Sequence, residues 1–213
     1  MSNLITPDAL DTLIAAGAPV RLIDVRWRLD RPDGYADYLE GHLPGAVYVA
    51  LDTDLALHGA PAEGRHPLPP HEALQAAARR WGVNDGDIVV AYDDAGSVAA
   101  ARAWWLLRRA GVDVRVLDGG FGKWVATGRA VQSGDVLVPE GNVTLVESLE
   151  GELSIDEAAV LPEHGVLLDV RVAPRYRGET EPIDPIAGHV PGAINLPAAA
   201  HIAADGTMVD AET

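Results

Sequence analysis

Residues 88–102 read IVVAYDDAGSVAAAR. Ile88, Val89, Val90, Ala91 and Tyr92 form an apolar, β-prone run, the pattern of a buried strand. The run stops at Asp93-Asp94-Ala95-Gly96-Ser97, and an alanine-rich stretch of good helix formers follows from Val98 to Leu107. Strand, tight loop and helix in this order turn the helix's first unpaired amide N–H groups toward the loop, where the helix dipole adds partial positive charge. Such a junction is suited to holding an anion. The residue placed in it is Asp93, a carboxylate and not a nucleophile.

Elements on either side repeat the alternation. Toward the N-terminus, Pro70–Trp81 predicts an amphipathic helix with Leu74, Ala77, Ala78 and Trp81 inward, and residues 52–69 a long loop. Val47–Val49 predicts a short strand, Tyr35–Glu40 a helical turn, and Val20–Val25 a buried strand. Thr6-Pro7-Asp8 opens a helix that Gly17 stops. Toward the C-terminus, Val114–Leu117 predicts a strand, and Gly119-Gly120-Phe121-Gly122-Lys123-Trp124 opens a last helix. The predicted class is α/β, a mostly parallel sheet with helices on both faces.

From 131 to 151 the chain loses its period, with Gly, Ser, Pro and isolated apolar residues. This predicts an interdomain linker, with a short strand at Val143–Val146. The earlier pattern then restarts. Ser154-Ile155-Asp156-Glu157 repeats the first helix start, Leu167-Leu168-Asp169-Val170-Arg171 repeats Leu22-Ile23-Asp24-Val25-Arg26, and Gly188-His189-Val190-Pro191-Gly192-Ala193 repeats Gly41-His42-Leu43-Pro44-Gly45-Ala46. The three offsets are 148, 145 and 147 residues, so the chain is read as a tandem duplication with long units. The predicted division is a first domain over 1–130, a linker over 131–151 and a second domain beginning at 152.

Composition narrows the chemistry. Thirty-two acidic residues against 16 basic ones give a net charge of −16, which argues against nucleic acid or an anionic membrane surface as partner. There is no cysteine, so disulfides, thiolate metal sites and thiol catalysis cannot arise within these 213 residues. No leader-like N-terminus and no apolar run long enough for a membrane span is evident, and a cytoplasmic location is the default expectation.

The paired Asp-Val-Arg strand ends, each followed by Gly-His-(Leu/Val)-Pro-Gly-Ala, together with Leu-Asp-Gly-Gly-Phe-x-x-Trp at 117–124, resemble the rhodanese family over essentially the whole chain. The arrangement is similar to that of the two-domain thiosulfate and 3-mercaptopyruvate sulfurtransferases. The resemblance implies two rhodanese-like domains. It also implies transfer of sulfane sulfur from a small anionic donor, through a cysteine persulfide, to cyanide or a thiol, with no cofactor or metal. In that family the cysteine follows the central strand of the second domain, and the first domain is a silent copy. Asp93 then stands at the cysteine's position in the silent copy, where its own charge is expected to fill the cradle. His42 to Asp93 is 51 residues, and the same interval from His189 falls at about residue 240. The second domain is therefore expected to be incomplete here, the natural protein to continue, and this chain to be inactive. The alternative, taking the absence of cysteine at face value, is a catalytically inactive rhodanese-like binding or regulatory module. A phosphatase of the same fold fits the tandem layout poorly.

The resemblance also assigns residues. Arg175 is expected to hold the anionic end of the donor, since a guanidinium can bind two oxygens at once, with pairing to Glu179 or Glu181 as its alternative role. Arg177 is a second candidate anion ligand or a solvated charge. The stretch 181–187 lacks the further arginine typical of mercaptopyruvate enzymes, which favours thiosulfate. Asp24 with Arg26, and Asp169 with Arg171, are expected to fix strand ends through ion pairs, and His42 and His189 to bond backbone within their loops. His58, His66 and His71 fit no standard metal-ligand spacing, so no metal site is expected. Trp104 and Trp105 are expected to pack, and Gly119-Gly120 to make a turn rather than a phosphate loop.

Overall fold

A computed structural model describes residues 2–60, 63–148 and 151–209. They divide into two compact units. The first runs through Ser148 and includes Asp205–Thr207, and the second comprises 151–204 with 208–209.

The first unit is built on a five-stranded parallel sheet. In chain order its elements are β1 (Leu4–Ile5), α1 (Pro7–Ala15), β2 (Val20–Asp24), α2 (Tyr35–Glu40), β3 (Val47–Tyr48), α3 (Leu51–Asp54), α4 (His71–Arg80), β4 (Ile88–Tyr92), α5 (Val98–Arg109), β5 (Asp113–Leu117) and α6 (Gly120–Ala126). The strand order is β1-β5-β4-β2-β3. Each strand's alternation divides its side chains between two apolar layers. Ile23, Val89, Ala91, Val114 and Val116 face one layer, closed by α3, α4 and α5. Leu22, Val90, Tyr92 and Leu117 face the other, closed by Leu10 of α1 and Trp124 of α6. That is the α/β class expected from the run of strands and helices, since a parallel sheet needs cover on both faces.

Chain order sets the position of the site. β2 leads outward to β3 on one side, whereas β4 leads to β5 on the other, and β2 and β4 lie side by side with Asp24 opposite Tyr92. The connections leaving their C-terminal ends therefore diverge and open a crevice, the place where open parallel sheets bind ligands.

Most element boundaries moved by a residue or two, and the stretch read as loop from 52 begins inside α3. The helix expected over Pro70–Trp81 starts at His71 with Pro70 as its N-cap, and α5 continues past Leu107 to Arg109. The strand expected at Val143–Val146 does not form. Val143 and Leu145 are buried in the first unit's larger apolar layer, and their backbone is held by α4, where Arg79 Nε donates to the Val143 carbonyl and Gln75 Oε1 accepts from Leu145 N. Its other backbone partners lie just past the ends of α4 and α5, where Val143 N donates to the Val83 carbonyl and Val146 N to the Ala110 carbonyl, so the segment has no strand to pair with. The stretch 131–148, read as linker, lies on the first unit along much of its length. Gln132 exchanges backbone hydrogen bonds with His42, and the Tyr38 hydroxyl accepts from Val136 N.

The second unit has a two-stranded parallel sheet, β6 (Leu168–Asp169) with β7 (Ile194–Asn195), and the helices α7 (Ile155–Val160) and α8 (Ala173–Tyr176). Ser154 caps α7 through a reciprocal capping box with Glu157, whereas Thr6 caps α1 only by accepting from Ala9 N. The pairing repeats that of β2 with β3: Asp169 lies opposite Asn195 as Asp24 lies opposite Tyr48. Burial does not repeat. Ile23, Val25, Val47 and Val49 are at most 5% exposed, whereas Leu168, Val170, Ile194 and Leu196 at the matching positions are 40–56% exposed. Among the described residues, no helix is long and apolar enough to cross a membrane.

Candidate anion-binding site

The loop after β4 closes around one side chain. Asp93 is 1% exposed, and each of its oxygens takes two backbone amides: Oδ1 those of Ala95 and Ser97, Oδ2 those of Ala99 and Ala100, all at 2.9 Å. The loop reaches this shape through left-handed backbone at Gly96 and Ser97. Behind it, Phe121 N donates to the Asp93 carbonyl at 2.9 Å. A Cβ on Gly120 would lie 2.4 Å from that carbonyl oxygen, so only glycine lets α6 approach so closely. Burial pushes the Asp93 carboxyl up from its ordinary range and the four amides oppose it. All four partners are donors, so the arrangement is one that accommodates a carboxylate.

Beside this loop lies a shallow cleft of about 470 Å³ lined by Arg26, Arg28, Asp94 and Phe121, among others. Arg26 is 4% exposed and forms a bidentate pair with Asp24, donating also to the carbonyls of Asp37 and Gly41, with its guanidinium 4.3 Å from the Phe121 ring centre. Burial pushes the Asp24 carboxyl up to about 6 against the pull of Arg26. Arg28 bridges Asp94 in the loop (3.2 Å) and Asp37 on α2 (3.1 Å). His42 stacks on Tyr38, and its two ring nitrogens lie 2.9 Å from the carbonyl oxygens of Leu43 and Gly134.

The second unit repeats much of this set. Asp169 pairs with Arg171, whose Nη2 donates to the Gly188 carbonyl as that of Arg26 donates to Gly41. His189 stacks on Tyr176, and the Tyr176 hydroxyl donates to Ala193 as that of Tyr38 donates to Ala46. The Arg171 donors hold the Asp169 carboxyl below its ordinary range, the opposite of Asp24, because Asp169 is less deeply buried. One stretch has no counterpart. Two residues separate Tyr38 from Gly41, but eleven separate Tyr176 from Gly188. Within the longer stretch Glu181 accepts from the amides of Ile183 and Asp184 and from Nε and Nη2 of Arg175, and it pairs with Arg171. These donors, the Asp184 amide foremost, pull the Glu181 carboxyl down to about 2. Arg175 Nη2 also reaches Asp184 at 3.0 Å. Arg177 pairs with Glu179 at the surface.

Of the sequence-selected residues, Asp24 and Arg26 come together at the crevice of the first unit, His42 is held apart from them by Leu43, Gly134 and Tyr38, and Asp169, Arg171, Arg175 and His189 come together in the second. Arg177 lies apart in its own pair. His66 is bonded to Asp52. Arg28 and Tyr38 were not singled out. Their partners Asp94 and Val136 lie 66 and 98 residues away, and no local motif announces such a contact.

A family description of the rhodanese-like domain matches residues 6–127. A Mycobacterium tuberculosis protein with the provisional name thiosulfate sulfurtransferase SseB is 48% identical over 210 residues, 97% of this chain and 74% of its own length. The 3-mercaptopyruvate sulfurtransferase of Escherichia coli is 33% identical over 166 residues, 76% of this chain and 58% of its own length. The crystal structure of the 3-mercaptopyruvate sulfotransferase SseA from Escherichia coli superposes with a TM-score of 0.84 at 28% identity, covering all of this chain and 80% of that one. With the sheet order, the β4–α5 loop and the repeated Asp-Val-Arg and Gly-His elements already in view, these matches place the chain in the rhodanese family.

Proposed function

We propose that the chain is the larger part of a tandem-domain sulfurtransferase that moves sulfane sulfur from thiosulfate, or from 3-mercaptopyruvate, to cyanide or a thiol. The reading keeps 1–130 as a silent first domain, 131–151 as connection and the residues from 152 as part of the active one. It draws on the names of the relatives and on one observation about charge. Aligned on the Tyr–His stacks, Arg175 takes the place of Asp37. In the first unit Asp37 is joined through Arg28 to Asp94 of the β4–α5 loop. A side chain at this position is thus one residue removed from the loop that cradles an anion, and the second unit puts a guanidinium there. Arg175 is the anion holder in this reading, with Arg177 a lesser ligand. Asp24, Arg26, His42, Asp169, Arg171 and His189 fix the loops around them.

In the reaction, a thiolate attacks the outer sulfur of thiosulfate, a new S–S bond forms, and sulfite leaves with the electron pair of the old one. Cyanide or a thiol then takes the outer sulfur and restores the thiolate. No cysteine is present in these residues, so that thiol lies outside them, on the second unit's counterpart of the β4–α5 loop. Asp93, with both oxygens already taken by amides, carries no sulfur. The first unit taken alone favours a second reading, an inactive binding module, because its own carboxylate fills its cradle.

Two measurements on the 213-residue chain test the proposal. Thiosulfate and cyanide should yield no thiocyanate; turnover would show that the sulfur carrier had been misassigned. Equilibrium dialysis with radiolabelled thiosulfate should show binding that Arg175→Ala weakens about tenfold or more, the worth of a charge-assisted hydrogen bond, and Arg177→Ala about threefold or less. Unchanged binding in Arg175→Ala would remove the anion holder and leave the binding module.

A further inference from the structure

The two copies satisfy the arginine of the Asp-Val-Arg element in different ways. In the first, Arg26 Nη1 donates to the backbone carbonyl of Asp37, one residue before the stacked Tyr38. In the second, Arg171 Nη1 turns to the side chain of Glu181, inside the longer stretch that the first copy lacks. Glu181 is only 5% exposed at its side chain. Oε1 takes the amides of Ile183 and Asp184 together with Arg175 Nη2, and Oε2 takes Arg175 Nε and faces Arg171. Asp184 supplies a second acceptor to Arg175 Nη2. Two of the three guanidinium nitrogens of Arg175 are thereby committed. Among the described residues Nη1 has no partner, although the side chain is 17% exposed.

We infer that Glu181 is a positioning residue: it clamps Arg175 by one edge and leaves Nη1 as the single nitrogen offered to a small anion. The inference rests on the anion-holding role proposed above for Arg175. It also narrows the ligand chemistry. A guanidinium free on a whole edge grips two oxygens of one group, whereas this one makes a single-nitrogen contact with an oxygen of a sulfonate or carboxylate and leaves the remainder of the ligand unclamped. A turn-forming role alone would need only Oε1, which serves the two amides. The contacts of Oε2 are to arginines and serve orientation.

Glu181→Gln separates the two roles, since the glutamine carbonyl can replace Oε1 at the amides while its NH2 cannot accept from Arg175 Nε. On the 15N-labelled 213-residue chain, the Arg175 Nε–H resonance is identified by its loss in Arg175→Lys, and its exchange with solvent is measured. In Glu181→Gln this exchange should accelerate about tenfold or more while the amides of Ile183 and Asp184 stay protected. Equal protection of Arg175 Nε–H in both proteins would overturn the inference. So would parallel loss of protection at Ile183 and Asp184, which would make Glu181 a turn residue only. Thiosulfate titration of the wild-type chain reports separately on the reading beneath. If the Arg175 resonance does not shift while the clamp behaves as described, the anion-holding role falls and the positioning of Arg175 by Glu181 stands.

Discussion

At the scale of single residues, the first unit buries two carboxylates with different partners. Asp93 has only amide donors, so truncation leaves several buried N–H groups without a partner. Asp93→Ala should destabilise the first unit by about 2–4 kcal/mol in urea unfolding. Added sulfate should recover part of this loss in the variant and little in the wild type, since only the variant has a vacant cradle. Equal response of the two proteins to sulfate would mean that the loop collapses when its carboxylate is removed. Asp24 has a charged partner but is fully buried, and burial prevails, raising its carboxyl from 3.8 to about 6. Its folded value lies above its unfolded one, so between these pH values the folded chain holds a proton that the unfolded chain has released. The contribution of Asp24 to stability is therefore fully present below about 4 and declines as pH rises through 6, by roughly 3 kcal/mol in total. Carboxyl-carbon NMR should give an Asp24 midpoint near 6, and the stability of the wild type relative to Asp24→Asn should fall across that window. A midpoint at or below the ordinary aspartate value would show that the Arg26 pair outweighs burial.

At the scale of elements, the strand–loop–helix at 88–102 was legible because its three parts differ in kind: a β-prone run, small and acidic residues, then helix formers. Asp93 could be read as a self-supplied anion from its place between them. The end of α6 that meets this loop was harder to read, since Gly119-Gly120 signals a turn without saying what approaches it. Gly120→Ala, with its Cβ driven against the Asp93 carbonyl, should cost about 2–4 kcal/mol, whereas Gly122→Ala, in the same helix with open space around it, should be neutral or stabilising by about 0.5–1 kcal/mol. Comparable losses at both positions would mean that helix α6 does not pack on the loop as described. The burial of Val143 and Leu145 was not legible, because two apolar residues in an aperiodic stretch do not reveal which elements supply their partners. Glu181 escaped for a similar reason: it was visible only as one possible partner of Arg175, and its hold on Arg171 and on two amides depends on the fold of an irregular loop.

At the scale of the whole molecule, repetition of motif and repetition of burial part company. The Asp-Val-Arg and Gly-His elements, their ion pairs and their Tyr–His stacks recur at nearly constant offset. The apolar residues beside them are closed over in the first unit and open in the second. Motif recurrence can be read from letters, but burial depends on which other elements are present to cover a surface. Hydrogen exchange should therefore be graded. Amides of Val89–Ala91 in β4, which lies between β2 and β5, should exchange only with global unfolding, and those of β6 and β7 at least about a hundredfold faster. Uniform protection across β4, β6 and β7 would show that the second unit is as cooperative as the first.

The four-amide cradle has one further consequence. Asp93 is a ligand fixed by its own backbone to the site it fills, so its effective concentration there does not vary with the surrounding solution. A dissolved anion must compete against a tethered rival that never diffuses away. Changes in ambient sulfate, phosphate or sulfur donor should thus leave the first unit's loop in a constant state, its occupant set by the chain and not by the medium.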